Sequence, residues 1–112
     1  PSEISWEMPK YAVSVSTLER HNHIIGDIAR GVKVYENGGI EFMEFFYDDP
    51  DRYIAKVPHK GGVKNVSVLF SRDGRDIEEY FCDCTWRDKE PPVCRHVVAA
   101  VLAIQNGISE GV

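Results

Sequence analysis

No apolar run in this chain is long enough to cross a membrane: the longest, 97–104, falls well short of the roughly 18 residues a span needs. Cysteine is scarce and unevenly placed. Three are present, an odd number, all between positions 82 and 94, whereas a secreted disulfide framework takes an even number spread along the chain. The N-terminal Pro-Ser-Glu-Ile-Ser-Trp is neither basic nor followed by an apolar stretch, so no secretory leader is expected. It also has no initiator Met, so the chain reads as a trimmed piece of a longer protein. There is no internal repeat and no low-complexity segment. The net charge of −5 argues against a module that coats nucleic acid indiscriminately. With 43% apolar and 28% charged residues over 112 positions, one soluble domain spanning 1–112 is expected, with one core.

Charge is not evenly spread. Residues 1–51 carry four Lys and Arg against ten Asp and Glu, and residues 52–112 carry nine against eight. Within 56–75, Lys56, Lys60, Lys64, Arg72 and Arg75 face Asp73 alone. That stretch reads first as the solvated rim of a hairpin, and second as a locally basic face.

Ser16 or Thr17 can cap a helix, and Leu18, Ile25, Ile28, Val32 and Tyr35 recur at helical spacing behind it. Gly26 and Gly31 interrupt the pattern, so the segment 17–37 is expected as one kinked helix or two short ones. Asn37-Gly38-Gly39 supplies residues able to take positive φ and end it. An antiparallel meander of three to four strands is expected over 40–81. Its strands are 40–47, 52–57 (closed by Pro58 and Gly61-Gly62), 63–70 and 75–84, with Asp73-Gly74 as a two-residue hairpin signal. The chain closes with a helix from about Arg95 to Asn106, stopped by Gly107. Its run from Val97 to Ile104 is apolar on nearly every side, so this helix should be buried. The expected fold class is α+β: N-terminal helix, antiparallel meander, metal site, buried C-terminal helix.

The string that carries chemistry is Cys82-Asp83-Cys84, nine intervening residues, then Cys94-Arg95-His96. Residues two apart on a strand share a face, which sets the sulfurs of Cys82 and Cys84 on one side, about 6–7 Å apart along the backbone, and suits two corners of a zinc tetrahedron. Residues two apart on a helix diverge, so Cys94 is expected in the turn before the last helix and His96 in its first turn. Pro91-Pro92 cannot continue a helix from upstream and helps set where this one starts. The positive end of that helix favours the thiolate form of Cys94. Three thiolates and one imidazole fill a tetrahedral zinc shell with no position left for substrate, so Cys82, Cys84, Cys94 and His96 are expected to hold one structural Zn2+. Such a site also suits a reducing, cytoplasmic compartment, or one beside nucleic acid in a nucleoid or nucleus.

The run Phe81-Cys82-Asp83-Cys84 … Cys94-Arg95-His96-Val97-Val98-Ala99-Ala100-Val101-Leu102 resembles the SWIM-type zinc finger, whose motif is C-x-C, a variable gap, then C-x-H and an apolar helix. Motif and helix take up 82–106. Arg95 stands where that family commonly has Lys. Upstream, Ile28-Ala29-Arg30-Gly31, Tyr35, Gly38 and Ala55-Lys56-Val57 are similar, less specifically, to the segment preceding the motif in bacterial SWIM proteins. The resemblance implies zinc binding with a DNA-binding or protein-interaction role and no catalysis of its own. It also implies an alternative: an accessory DNA-binding piece of a larger helicase- or transposase-like enzyme. A protein partner, DNA or both are therefore expected, with no membrane and no small-molecule substrate.

Other features have blander readings. Three buried free thiols beside a core His would leave the quartet without a role. A catalytic Cys with His96 as base is the other functional reading, and a three-thiol cluster fits coordination better. His21-Asn22-His23 spells a nuclease motif, yet reads as a polar helix face. Asp48, Asp49 and Asp51 around Pro50 read as a solvated turn rather than a cation site. Trp86, between the ligand pairs with Arg87 and Lys89, either packs over the metal loop or anchors a partner. Phe42, Phe45, Phe46 and Tyr47 occupy both faces of their strand, so both faces are covered or one meets a partner.

Overall fold

The fold was analysed in a computed structural model, which describes residues 11–21, 26–45, 51–85 and 93–110. Two helices come first, α1 (Val15–His21) and α2 (Asp27–Asn37). Four strands follow among the described residues, β1 (Glu41–Glu44), β2 (Arg52–His59), β3 (Gly62–Phe70) and β4 (Ile77–Cys82), then a 3₁₀ turn (Asp83–Thr85) and α3 (Arg95–Glu110). The sheet is antiparallel in the order β1-β2-β3-β4, so the α+β meander expected from alternation is the fold observed.

The N-terminal helical segment is two helices, and Gly26, in the left-handed region at φ 85°, precedes the second. The cap of α1 is Ser14, whose Oγ accepts the Thr17 N–H at 3.2 Å, two or three residues ahead of the Ser16 or Thr17 expected. Strand β2 runs through Pro58 to His59. Beyond Lys56, the partner of Glu41, it has β3 alone alongside, and there proline's missing donor is tolerated. Its turn is Lys60-Gly61, both with positive φ (39° and 82°). The next connection is longer than two residues: Ser71 N–H donates to the Asp76 carbonyl across it at 2.9 Å, with Gly74 at φ 74° inside.

One face of the sheet carries Tyr53, Ala55, Val57, Val66, Val68, Phe70 and Cys82, all buried. Across it lies α3, which touches every strand on one side and α2 on the other. This explains a helix apolar all round: 97–101 are all buried because the helix is covered on both sides. It also explains why α3 does not stop at Gly107. A Cβ there would sit 2.7 Å from Phe42 Cζ, so this glycine admits β1 instead of ending the helix. At Gly31 a Cβ would meet Val98 Cβ at 2.5 Å and the Arg95 carbonyl at 2.8 Å; the glycine lets α2 and the start of α3 touch backbone to backbone.

The outer face is mixed. Met43, Ile54, Ser67 and Phe81 form one row across it, with Met43 and Phe81 exposed. Phe42 packs on the core side and Phe45 is exposed, so the two parities of that strand divide between core and surface. Phe46, Tyr47, Asp48 and Asp49 lie outside the described residues, as do Asn22, His23, Trp86, Arg87 and Lys89. Asp51 accepts a hydrogen bond from the Tyr11 hydroxyl at 2.8 Å, and His21 Nε2 lies 3.2 Å from Asp76. Among the described residues no helix is long and apolar enough to cross a membrane.

Candidate metal centre

Four side chains from three chain segments meet where β4 ends and α3 begins. Their ligand atoms, the sulfurs of Cys82, Cys84 and Cys94 and one ring nitrogen of His96, lie within 4.8 Å of one another. Cys82 Sγ is 3.3 Å from Cys84 Sγ, which is 3.4 Å from Cys94 Sγ. His96 Nδ1 stands 3.6 Å from Cys82 Sγ and 3.7 Å from Cys94 Sγ. In a zinc tetrahedron with Zn–S near 2.3 Å and Zn–N near 2.0 Å, the edges are about 3.5–3.8 Å. Four of the six donor separations are thus close to those edges, and the chemistry of the donors suits zinc.

The expectation that Cys82 and Cys84 both stand on one strand is corrected by the structure. Strand β4 ends at Cys82, and the 3₁₀ turn over Asp83–Thr85 folds Cys84 back toward it. Asp83 holds the turn: one of its carboxylate oxygens accepts Asn65 N–H at 3.0 Å and Asn65 Nδ2 at 2.9 Å, in place of the next ladder pair. Those two bonds hold its carboxyl below the usual range.

The second pair is built as expected. Cys94 is the N-cap of α3: its carbonyl accepts Val98 N–H at 3.0 Å, and its sulfur receives the Val97 N–H in the role an N-cap oxygen usually takes. His96 falls in the first turn, 3% exposed. The first free amide of the helix is capped from elsewhere. Arg95 N–H donates to Asp27 Oδ2 at 3.2 Å across 68 positions of sequence, while Asp27 Oδ1 accepts from Arg30 at 3.3 Å and lies 3.7 Å from the Arg95 guanidinium. Sequence patterning gave no hint of Asp27, since an acidic residue in the first turn of α2 is ordinary there; its burial is what marks it.

The thiols divide by environment. Hydrogen bonding from Cys82, with help from His96 and the Val97 amide, pulls Cys94 well below its ordinary pKa against the cost of burial. The partner role toward Cys94, together with burial, pushes Cys82 up, and burial pushes Cys84 up. One thiolate is thus prepared before any metal arrives, and two protons remain to be displaced. Cys84 is the exposed member, with the Lys64 ammonium close enough to favour its thiolate.

Beyond the quartet stands His59, at the end of β2, with its Nδ1 3.0 Å from His96 Nε2. Partial burial first, then the electrostatic influence of the neighbouring His96 ring and of Lys64, Lys60 and Arg95, lowers its pKa below the ordinary histidine value. Lys60, Lys64 and Arg95 all act on this ring, so positive charge gathers at this end of the molecule. Nothing in the motif spacing singles out His59.

A Cys3His cluster between the edge of a small antiparallel sheet and the start of a buried helix defines a zinc-finger class of centre. Residues 65–105, from within β3 to within α3, match the family model of the SWIM zinc finger, and the Cys3His cluster inside that segment is consistent with one structural zinc ion. The upstream likeness around Ile28–Gly31 and Ala55–Val57 lies before the matched segment. Searches of curated proteins and of solved structures gave no match.

Proposed function

We propose that this chain is a non-enzymatic interaction module whose shape depends on one zinc ion held by Cys82, Cys84, Cys94 and His96. The observation that carries the reading is the meeting of four donors within 4.8 Å of one another, three sulfurs and one ring nitrogen, a set that would fill a zinc shell without leaving a place for substrate. The ion would supply folding free energy and no chemistry. It would join the end of the sheet to the start of α3, leaving the surrounding surface to make contacts.

Within that reading, a contact to nucleic acid is favoured by the cations at the metal end. Lys60 lies at the β2–β3 turn, Lys64 beside Cys84 and Arg95 at the start of α3, on a chain whose net charge is −5. A protein partner is favoured by that acidic balance and by the exposed Met43 and Phe81 on the outer sheet face. An electrophoretic shift assay on the zinc-loaded chain separates them. Binding through several phosphates weakens steeply with salt, by about one power of salt concentration per phosphate. A Lys60→Glu, Lys64→Glu double variant should then lose most of the shift. Absence of any shift at low salt removes the nucleic-acid reading and leaves the protein partner. Native mass spectrometry at neutral pH, expected to show one zinc per chain, tests the metal itself.

A further inference from the structure

His59 is separated from the metal motif by more than twenty residues, yet it completes the geometry of one donor. The His96 ring presents Nδ1 to Cys82 and Cys94, at 3.6 and 3.7 Å, and turns Nε2 away from them. An imidazole that gives its Nδ1 lone pair to a metal carries its proton on Nε2. His96 is 3% exposed, so that proton needs a partner within the protein. His59 Nδ1 lies 3.0 Å from it, and the two rings meet edge-on, centroids 4.8 Å apart at 80°.

Several features of the backbone put His59 there. It shares the face of β2 with Tyr53, Ala55 and Val57, the side on which α3 packs. Its cross-strand neighbour is Gly62, which has no side chain to compete for the space. Strand β2 runs past Pro58 to reach it, and the Lys60-Gly61 turn then reverses the chain.

We propose that His59 is a positioning residue of the metal centre: by accepting the Nε2–H of His96 it fixes the tautomer and the ring orientation that face Nδ1 toward the three sulfurs. This rests on the zinc reading above. The choice of imidazole has an electrostatic logic. Three thiolates around a divalent ion already leave a formal charge of about −1. A carboxylate in the same place would add a second negative charge, whereas an imidazole lone pair accepts the hydrogen bond without one.

Zinc affinity of the full chain, measured by competition with a chromophoric chelator, tests this in His59→Ala, His59→Phe and His59→Asn. Phenylalanine keeps the ring and its edge contact but has no acceptor. Asparagine can place its Oδ1 near the position of Nδ1. Outer-shell partners of metal-bound histidines contribute roughly 10–100-fold in affinity, so Ala and Phe should weaken binding by that factor and Asn should recover most of it. Far-UV circular dichroism in excess zinc should stay unchanged, and the Phe–Asn pair carries the comparison even where the smaller Ala side chain destabilises the fold. In the zinc-loaded wild type, the His96 Nε2 proton should appear as a hydrogen-bonded, slowly exchanging resonance that is lost in His59→Phe. Equal affinity across wild type and all variants overturns the role of His59, as does wild-type affinity in Phe with loss in Asn, which would mean ring packing alone. A wild type that takes up no zinc overturns the metal reading itself, and this role with it.

Discussion

Asp27 is a buried acid that the motif does not contain, and it decides where the motif's second half sits. Its carboxylate receives the first free amide of α3, one residue from Cys94 and one from His96, and both guanidiniums on it are substantially exposed. Replacing Asp27 by Ala therefore removes a cap without stranding a buried charge. The expected loss is about 1–2 kcal/mol, with Asp27→Asn retaining part of it because one oxygen can still accept from Arg95. Urea unfolding of the zinc-loaded chain measures this, and an Ala variant as stable as wild type contradicts it. Gly31 and Gly107 respond differently to an added methyl. At Gly31 the obstacle includes the Arg95 carbonyl, which cannot swing aside, so overpacking of about 1–3 kcal/mol outweighs the roughly 1 kcal/mol gained in helix propensity. At Gly107 the obstacle is the end of the half-buried Phe42 ring, which can shift, so Gly107→Ala should be close to neutral. Thermal melts of the two variants should separate them, Gly31→Ala lying lower.

Among the elements, α3 and the turn before it form the unit that the metal closes. The helix is buried from 97 to 101, and its N-cap and first turn hold two of the four donors. The other two come from the end of β4 and the 3₁₀ turn, so a lost ligand releases the link between sheet edge and helix. Cys84→Ser is expected to abolish zinc uptake and lower the melting temperature by more than about 10 °C, since 1 kcal/mol corresponds to roughly 4–8 °C in a domain of this size. Structural zinc in small domains contributes on the order of 10 kcal/mol. The core behind α2, α3 and the sheet should keep the rest of the chain collapsed, so the loosening belongs to the C-terminal half. Amide exchange localises it, and an unchanged melting curve would refute the prediction.

For the molecule as a whole, metal, protons and stability are linked. Cys82 and Cys84 have raised pKa values, so both are thiols near neutral pH in the metal-free protein, while Cys94 is already held as thiolate. Zinc must displace two protons, and lowering the pH favours the protons. Affinity should therefore fall by up to about 100-fold per pH unit on the acid side of neutrality, and zinc uptake at pH 7 should release about two protons. A pH indicator in weak buffer reads the stoichiometry directly; release near zero or three would revise the assignment of the thiolate. Chelation should lower the melting temperature at neutral pH and matter less in acid, where the metal is already lost.

The four donors were legible in the chain because two short spacings and an apolar run encode them within 25 residues, and the helix start that places Cys94 before His96 is a local property of capping. The meander was legible for the same reason, since alternation and glycine turns are properties of neighbours. The extent of α3 was misread at Gly107, because a glycine that ends a helix and one that admits a phenylalanine look alike until β1 is laid against it. The placement of Cys84 on the strand was misread too: it sits in a turn that Asp83 holds by reaching Asn65 across the sheet. Asp27 and His59 act across 68 and 37 positions. No local pattern marks such residues, because what they touch is set by which faces of helix and sheet are stacked together, and stacking is settled only when the core closes.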